Sequence, residues 1–299
     1  MRATDVNRRT KPDPDSAPGR RYWRPAGSPH VEVLERRDTA PFRGYSDQYA
    51  FAFQAASVPT RFNYRGRLHD VPPGAVMLRE PGETFGFADP SSLIILLISP
   101  DLISRVALEH FGSVKPVHWH TQVVRGSQFN DDLLASIGAI RNHRGHDANA
   151  VASRLIASCI TQFREPMREA VSNDLPKAGL TRARDMLHAR YRESVTLLDL
   201  VVTSESTSKQ RLIRSFRHEF GFTPHQYLTH LRISRACNLM RHGHDCGEAA
   251  HAVGFYDQSQ MNRHFMNYVG ITPGVYANAV GPQMRLGSRN ARPATSTHS

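Results

Sequence analysis

Two stretches of the sequence carry side chains that can form paired hydrogen bonds with the edge of a flat ring. Gln210 and Arg214 lie in the first stretch, and Asn262 and Arg263 lie in the second. Arginine can donate two hydrogen bonds to guanine, and glutamine or asparagine can pair with adenine. The chemistry that these residue types favour is therefore the recognition of bases in a DNA groove.

The neighbouring residues extend each candidate surface. Leu212 and Phe216 are spaced as one buried helix face, which leaves the polar residues on the opposite side. On that side Lys209 and Arg217 can hold phosphates, which position a protein on DNA without specifying a sequence. Ile213 can pack on a thymine methyl group. The predicted DNA-binding residues are Lys209, Gln210, Ile213, Arg214, Arg217, Gln258, Ser259, Asn262 and Arg263.

The two stretches are copies of one unit, related by an offset of 49 residues. In each copy a glycine can end a helix in the left-handed conformation, and the Thr-Pro that follows can start the next one. Ser208 and Asp257 can cap the copies, and short helices are predicted upstream at 198–205 and 246–253. The pattern predicts helix, turn, helix, twice. The matched positions are Phe216, Gly221, Thr223, Pro224 and Tyr227 in one copy and Phe265, Gly270, Thr272, Pro273 and Tyr276 in the other.

Between the copies, residues 225–241 contain neither glycine nor proline. A helix of about 17 residues would be ~25 Å long at 1.5 Å per residue. The major groove of B-DNA repeats every ~34 Å. We therefore predict a rigid spacer that directs the two capped helices into successive major grooves on one face of a duplex.

The elements that must support this surface lie upstream. Short apolar runs separated by turn residues predict a β-sandwich or barrel. Over residues 130–163, apolar residues recur every three or four positions, which predicts amphipathic helices around a break at 142–147. The predicted strands lie at 49–53, 61–64, 75–78 and 93–98.

Charge and composition narrow the class of protein. The chain has 299 residues and a formal net charge of +11. The positive excess lies in 1–30, 181–280 and 281–299, but a basic balance alone does not identify a partner. No window approaches the ~18 consecutive apolar residues of a membrane span, and we see no secretory signal. The chain has three cysteines, Cys159, Cys237 and Cys246, and their spacing shows no pairs. We therefore predict reduced thiols in a cytoplasmic protein.

Residues 181–280 resemble the DNA-binding domain of the AraC family (also called AraC/XylS) of bacterial transcription regulators. The resemblance implies seven helices that form two helix-turn-helix units, joined by a long helix within one protomer. At Val202 the family has a small residue packed between helices, and an overfilled site typically costs ~1–3 kcal/mol. We therefore expect the first unit to be the less rigid one. Besides the repeated positions, the resemblance rests on Leu231, Arg232, Ala236, Gly254, Phe255, Ser259 and Arg263.

The segment 65–83 is similar to a strand-turn-strand of the cupin-like barrels that form the effector-binding half of such regulators. The implied fold class is α+β, with an N-terminal cupin-like β-barrel, dimerisation helices and a C-terminal all-α domain that contains both helix-turn-helix units. Barrel interiors make natural ligand pockets. We expect Tyr64, His69 and Arg79 to bind an effector there.

The expected domain organisation follows from these assignments. A cupin-like sensor and dimerisation domain precedes the AraC-type DNA-binding domain, and a disordered basic segment flanks each end. The predicted boundaries are 1–30 for the arm, 31–168 for the sensor, 169–180 for a linker, 181–280 for the DNA-binding domain and 281–299 for the tail.

The resemblance implies a sequence-specific transcription regulator, an effector-responsive activator located at the bacterial nucleoid. Its expected partners are double-stranded DNA, a small organic effector, RNA polymerase and a second copy of the chain. No cofactor, metal or catalytic residue is expected. A ligand would act through different affinities for two arrangements of the domains, because equal binding shifts nothing.

Other functions remain as alternatives. A cupin-type metal-dependent enzyme would need about three histidine or carboxylate ligands on adjacent strands. His118 and His120 form the one close histidine pair of that segment, and His69 has no such partner. A third class is a basic module that binds anionic surfaces through its tails. Two further alternatives are a zinc site and an alkyl-accepting thiol. The zinc ligands would be His242, His244, His251 and Cys246, and the thiol would be Cys159.

Overall fold

The computed structural model describes residues 19–25, 28–39, 41–65, 67–113, 115–142, 146–165 and 175–282. Strands dominate the first part of the chain and helices the second. The strands are β1 (Arg20–Trp23), β2 (Val31–Thr39), β3 (Phe42–Ser46), β4 (Tyr49–Gln54), β5 (Thr60–Tyr64), β6 (Arg67–Val71), β7 (Val76–Arg79), β8 (Glu83–Phe87), β9 (Ser91–Ile98) and β10 (Val123–Val124). The helices are α1 (Pro100–Phe111), α2 (Gln128–Asn142), α3 (His146–Phe163), α4 (Leu175–Ala189), α5 (Leu197–Ser204), α6 (Lys209–Phe220), α7 (Pro224–Arg241), α8 (Cys246–Ala252), α9 (Gln258–Val269) and α10 (Pro273–Val280).

The strands form two antiparallel sheets. The larger has the order β1-β2-β9-β4-β7-β10, and the smaller has the order β3-β8-β5-β6. The pairings between described strands leave edges on both sheets, which pack face to face. The sheets therefore show the sandwich of the predicted sandwich or barrel, and a closed barrel is not seen among the described strands. All four predicted strands are present, within a residue or two at their ends.

Both faces of the larger sheet are buried, which explains the nearly continuous apolar sequence of β9. On one face, Leu96 and Ile98 pack against α1, α2 and α3. On the other face, Leu93, Ile95 and Leu97 pack against the smaller sheet. The predicted break at 142–147 agrees with the end of α2 and the start of α3, whereas α1, capped by the Ser99 hydroxyl, was not predicted.

The C-terminal helices enclose two small cores that share one long helix. Tyr227 and Leu228, in the first half of α7, pack with α4, α5 and α6. Ala236 and Met240, in the second half of α7, pack with α8, α9 and α10. The 18-residue α7 therefore connects the two cores as the predicted spacer, at ~27 Å for 1.5 Å per residue.

Two predicted segments, the N-terminal arm and the linker, differ from the structure. The arm at 1–30 was predicted to be disordered, but Arg20–Trp23 pairs with β2, and Tyr22 stacks edge-on against Tyr276 of α10 at 5.2 Å between ring centroids. The contact gives Tyr22 a packing partner in α10, which its charged neighbours in the sequence did not indicate. The linker prediction at 169–180 is also corrected, because α4 already begins at Leu175. Residues 1–18, 169–174 and 283–299 lie outside the described residues.

A buried ion pair joins the two parts of the chain. Arg241 Nε, at the end of α7, donates to Glu32 Oε1 on β2, and Arg241 is 9% and Glu32 0% exposed. Tyr276 Oη donates to Glu32 Oε2 at 3.3 Å, and Arg241 Nη2 donates to Gln48 Oε1 at 2.8 Å. Arg24 Nη1 donates to the Arg241 carbonyl at 3.0 Å. The charged groups thus have partners on both sides of the junction.

Glu32→Gln should destabilise the protein by about 3–5 kcal/mol, because the buried Arg241 then keeps only the Asp47 carboxylate, 3.9 Å away, as a compensating charge. Chemical denaturation of the full chain measures this. Asp89→Asn, which breaks the exposed Arg61–Asp89 pair at 2.9 Å, is the matched control and should change stability little. The double variant Glu32→Gln, Arg241→Met should lose less than the two single variants added together. A Glu32→Gln protein as stable as the control would contradict the role of the pair.

Stability should also fall in acid because of a half-buried histidine. His188 Nε2 lies 2.9 Å from Tyr227 Oη, and burial together with the charges of Arg184 and Arg235 lowers the pKa of His188 to about 4. Its pKa in the unfolded chain is about 6.5. Protonation therefore favours unfolding, and this stability is lost as pH falls from about 6.5 to about 4. His188→Gln should flatten the pH dependence of the unfolding free energy in that window, whereas exposed His218→Gln should leave it unchanged.

Candidate nucleic-acid interface

Capping residues determine where the helices of the first pair, α5 and α6, begin and end. The Thr196 hydroxyl and the Asp199 carboxylate form a capping box at the start of α5. Ser208 caps α6 by accepting the Arg211 N–H at 3.2 Å, and Gly221 ends it with φ of 76°. Val202 is 70% exposed, so the expected crowding between the helices of this pair is wrong: the side chain points into solvent.

The second pair, α8 and α9, repeats the arrangement. Asp245 caps α8 with a capping box to Glu248. Asp257 caps α9 by accepting the Gln260 N–H at 2.7 Å, and Gly270 ends it with φ of 83°. The predicted N-caps Ser208 and Asp257 and the glycine stops are thereby confirmed, as are the caps of the helices that follow, at Thr223 and Thr272.

The predicted DNA-binding residues lie on the outer faces of α6 and α9. Leu212 and Phe216 in α6, and Met261 and Phe265 in α9, are buried on the inner faces. Within the described part of the chain, none of the nine candidate side chains makes a hydrogen bond or an ion pair, so their donors and acceptors remain available. The exposed candidates are Lys209, Gln210, Arg214, Arg217, Gln258, Ser259, Asn262 and Arg263, and Ile213 is half-buried.

A basic cleft lies beside the C-terminal half of α6. It has a volume of about 460 Å³, and Arg214, Arg217 and His218 form its wall on the helix side. The smaller sheet forms the other wall, where Arg43 Nη1 donates to the Gly221 carbonyl at 2.9 Å. The sheet therefore stands next to one of the two predicted recognition helices, an arrangement that the sequence did not predict.

The three predicted effector-binding residues have different surroundings. Tyr64 is buried, and its hydroxyl accepts the Glu80 N–H at 2.9 Å. His69 is half-buried on the edge strand β6. Of the three, Arg79 alone lines the cavity of about 110 Å³ between the sheets and the C-terminal helices. The sequence reasoning missed Arg36 in the same cavity, although it alternates with Leu34 along β2.

The residues of the alternative functions have other surroundings. Among the described residues, no group of three histidine, cysteine, aspartate or glutamate side chains could hold a metal ion. His118 Nδ1 lies 2.6 Å from Glu80 Oε2, and His244 Nδ1 lies 3.4 Å from Glu248 Oε2. Cys159 is buried, and burial raises the pKa of its thiol, which disfavours a reactive thiolate. None of the described helices is both long enough and apolar enough to cross a membrane.

Comparison with known proteins agrees with the repeated helix pairs. Residues 202–279 match a family model described as a helix-turn-helix domain. The domain belongs to the AraC family. The curated relatives that match this chain are named as helix-turn-helix transcriptional regulators.

Two curated relatives extend the likeness beyond this AraC-type domain. An uncharacterised helix-turn-helix regulator of Bacillus subtilis, YbfI, is 28% identical over 202 residues, which are 64% of this chain and 70% of YbfI. The activator RhaS of Salmonella heidelberg is 29% identical over 168 residues, which are 53% of this chain. The chain thus spans 56% of the length of RhaS.

A solved structure resembles most of the chain. Apo ToxT from Vibrio cholerae superposes with a TM-score of 0.51, covering 86% of this chain and 100% of that one, at 11% identity. At this identity the likeness concerns the fold: N-terminal sheets followed by C-terminal helices in both proteins.

The turn between α8 and α9 should tolerate glycine alone. Gly254 has φ of 90°, and a Cβ there would lie 2.5 Å from the Arg192 carbonyl oxygen. Gly254→Ala should therefore cost about 2–5 kcal/mol through conformational strain and overpacking. Gly82, with φ of 83° and open space around a Cβ, is the matched control, and Gly82→Ala should cost about 1–2 kcal/mol. Equal losses for the two variants in thermal unfolding would show that the close approach is unimportant.

Proposed function

We propose that the chain binds specific DNA sequences through two helix-turn-helix units, α5 with α6 and α8 with α9. In this proposal α6 and α9 are recognition helices, and α7 holds them so that they enter successive major grooves. The observation that carries the proposal is the pair of outward faces: two similarly capped helices present arginine, glutamine and asparagine side chains without internal partners.

The residues on these faces have different roles. Arg263 and Asn262 on α9, with Gln210 and Arg214 on α6, are placed to read base edges. Lys209 and Arg217 are placed to hold phosphates. The half-buried Ile213 would contact a thymine methyl group. Gln258 and Ser259, in the first turn of α9, complete the second surface.

We further propose that the N-terminal sheets make this regulator responsive to a small organic effector. The basic cleft supports two functional arrangements, because the smaller sheet stands beside Arg214 and Arg217 and restricts the approach of a duplex to the C-terminal half of α6. An effector that favours an arrangement with a wider cleft would raise DNA affinity. A homodimer formed through α2 and α3, activation of transcription and contact with RNA polymerase complete the proposal.

Arg263→Ala should reduce affinity for the specific site by about 1–3 kcal/mol and relax the base preference at one position. Arg217→Ala should weaken binding to all sequences alike and reduce the slope of log affinity against log salt by about one. Footprinting of genomic fragments would first define the site, and titrations of specific and random duplexes at several salt concentrations would then measure both effects. Equal losses on specific and random DNA for Arg263→Ala would refute base reading by Arg263.

Two controls separate this proposal from binding by the basic tails. Arg67→Ala removes an exposed arginine of the edge strand β6 that lies on neither α6 nor α9 and does not line the basic cleft, so it should leave specific binding unchanged. A chain that lacks 1–18 and 283–299 keeps β1 and every other described element. It should retain sequence preference, and the loss of all DNA binding in this variant would assign the activity to the tails instead.

A further inference from the structure

A partly open cavity lies where the two sheets meet the C-terminal helices. It has a volume of about 110 Å³. Leu34, Ile95 and Leu97 form apolar wall on the sheet side, and Ile233 of α7 and Val269 of α9 form apolar wall on the helix side. The cavity is thus lined by both halves of the protein, including the last turn of one proposed recognition helix.

Two arginines on the sheet side line this cavity with guanidinium nitrogens that lack hydrogen-bond partners among the described residues. Arg36 of β2 is 5% exposed, and Arg79 of β7 is 4% exposed. In each guanidinium group Nε and one Nη nitrogen are buried with no hydrogen-bond partner among the described residues. Their flat faces are occupied, because Arg36 Cζ lies 3.3 Å from the centroid of the Phe42 ring and Arg79 Cζ lies 3.7 Å from that of Phe85. The N–H groups at the edges of the two guanidinium planes are therefore the groups left to bind something.

No carboxylate of the described chain compensates these two charges. Burial lowers the pKa of Arg36 to about 9 and that of Arg79 to about 10, and the nearby charges of Arg20 and Arg79 also lower the pKa of Arg36. Both groups stay protonated at neutral pH. Asp47 lines the cavity as well, but its carboxylate lies 3.9 Å from Arg241, with which it forms an ion pair. The cavity therefore has a surplus of positive charge beside apolar walls.

We propose that this cavity binds a small organic carboxylate, held by the N–H groups of Arg36 and Arg79. Paired N–H donors match the two oxygens of a carboxylate, and the apolar walls favour a hydrocarbon body over inorganic phosphate. The volume equals that of three or four liquid waters, which suits an anion of roughly five to nine non-hydrogen atoms. This inference rests on the proposed effector response and names the chemical class of the effector.

The position of the cavity explains how such a ligand would act on DNA binding. A bound carboxylate would contact the larger sheet and the last turn of α9 at the same time. Its affinity then depends on how the two halves are arranged, which is the condition for a ligand to shift an equilibrium between arrangements.

Calorimetric titration and thermal unfolding of the full chain test the site, with propionate and benzoate as probes. Propionamide and benzamide are the neutral controls of the same shape, and inorganic phosphate tests the other source of anionic oxygens. We expect at least one carboxylate to bind and to raise the melting temperature, while the matching amide does not. Stabilisation by the amides to the same extent, by phosphate alone, or by none of the probes would overturn the proposal.

Variants assign the binding to the two arginines. Arg36→Met and Arg79→Met should each weaken carboxylate binding by about tenfold or more, since a charge-assisted hydrogen bond is lost. Without ligand they should melt no lower than the wild type, because each removes an uncompensated buried charge. Arg61→Met, which removes an exposed arginine paired with Asp89, is the control and should keep wild-type carboxylate binding. Unchanged binding in both cavity variants would overturn the assignment.

A parallel titration of specific DNA separates this inference from the function on which it rests. Carboxylate binding that changes DNA affinity supports both. Carboxylate binding with unchanged DNA affinity supports the site and overturns the effector response. Specific DNA binding by a chain that binds none of the carboxylates supports the regulator and overturns the site.

Discussion

The arrangement of the two halves depends on the ion pair between Glu32 and Arg241. In a buried environment neither charge can lose its partner at low cost, so β2 and the end of α7 must stay together. Gln48 accepts a further hydrogen bond from Arg241, and Tyr276 donates one to Glu32. The core formed by α8, α9 and α10 is consequently fixed to the larger sheet, whereas α6 reaches the smaller sheet through the contact of Arg43 with the end of the helix.

This difference divides the DNA-binding domain into two parts with different environments. The outer face of α9 is free, and its inner end forms a wall of the cavity. The outer face of α6 shares a basic cleft with the smaller sheet. The two similar helix pairs are therefore not equivalent in the whole protein. In the proposed effector response, a signal from the sheets reaches the first pair through the cleft and the second pair through the cavity.

The C-terminal domain could be predicted closely because its determinants are local in sequence. A cap such as Ser208 or Asp257 bonds to an amide three residues ahead, and a glycine stop acts within one turn. The outward residues then follow from the helical period. Strand β9 was equally predictable from its apolar run.

The remaining elements depend on distant partners, which explains why they could not be predicted. Strand β2 has Glu32 and Arg36 at buried positions and so lacks the usual alternation, and the partner of Glu32 lies 209 residues away. Strand β1 resembled a charged arm because its aromatic contact is with α10. The cavity and the basic cleft likewise join residues from both ends of the chain, so no local pattern indicated Arg36 or Arg43 as members of a site.

The long separation of Glu32 from Arg241 also has a consequence for biosynthesis. Chains emerge from the ribosome N-terminal part first, and N-terminal units fold before the rest is made. The sheets can therefore assemble while residue 241 is still inside the ribosome, and during that interval the Glu32 carboxylate has no arginine partner from α7. Docking of α7 and α10 then closes the junction last, so a nascent chain passes through a stage in which its N-terminal sheets are formed and α6 and α9 are not yet anchored.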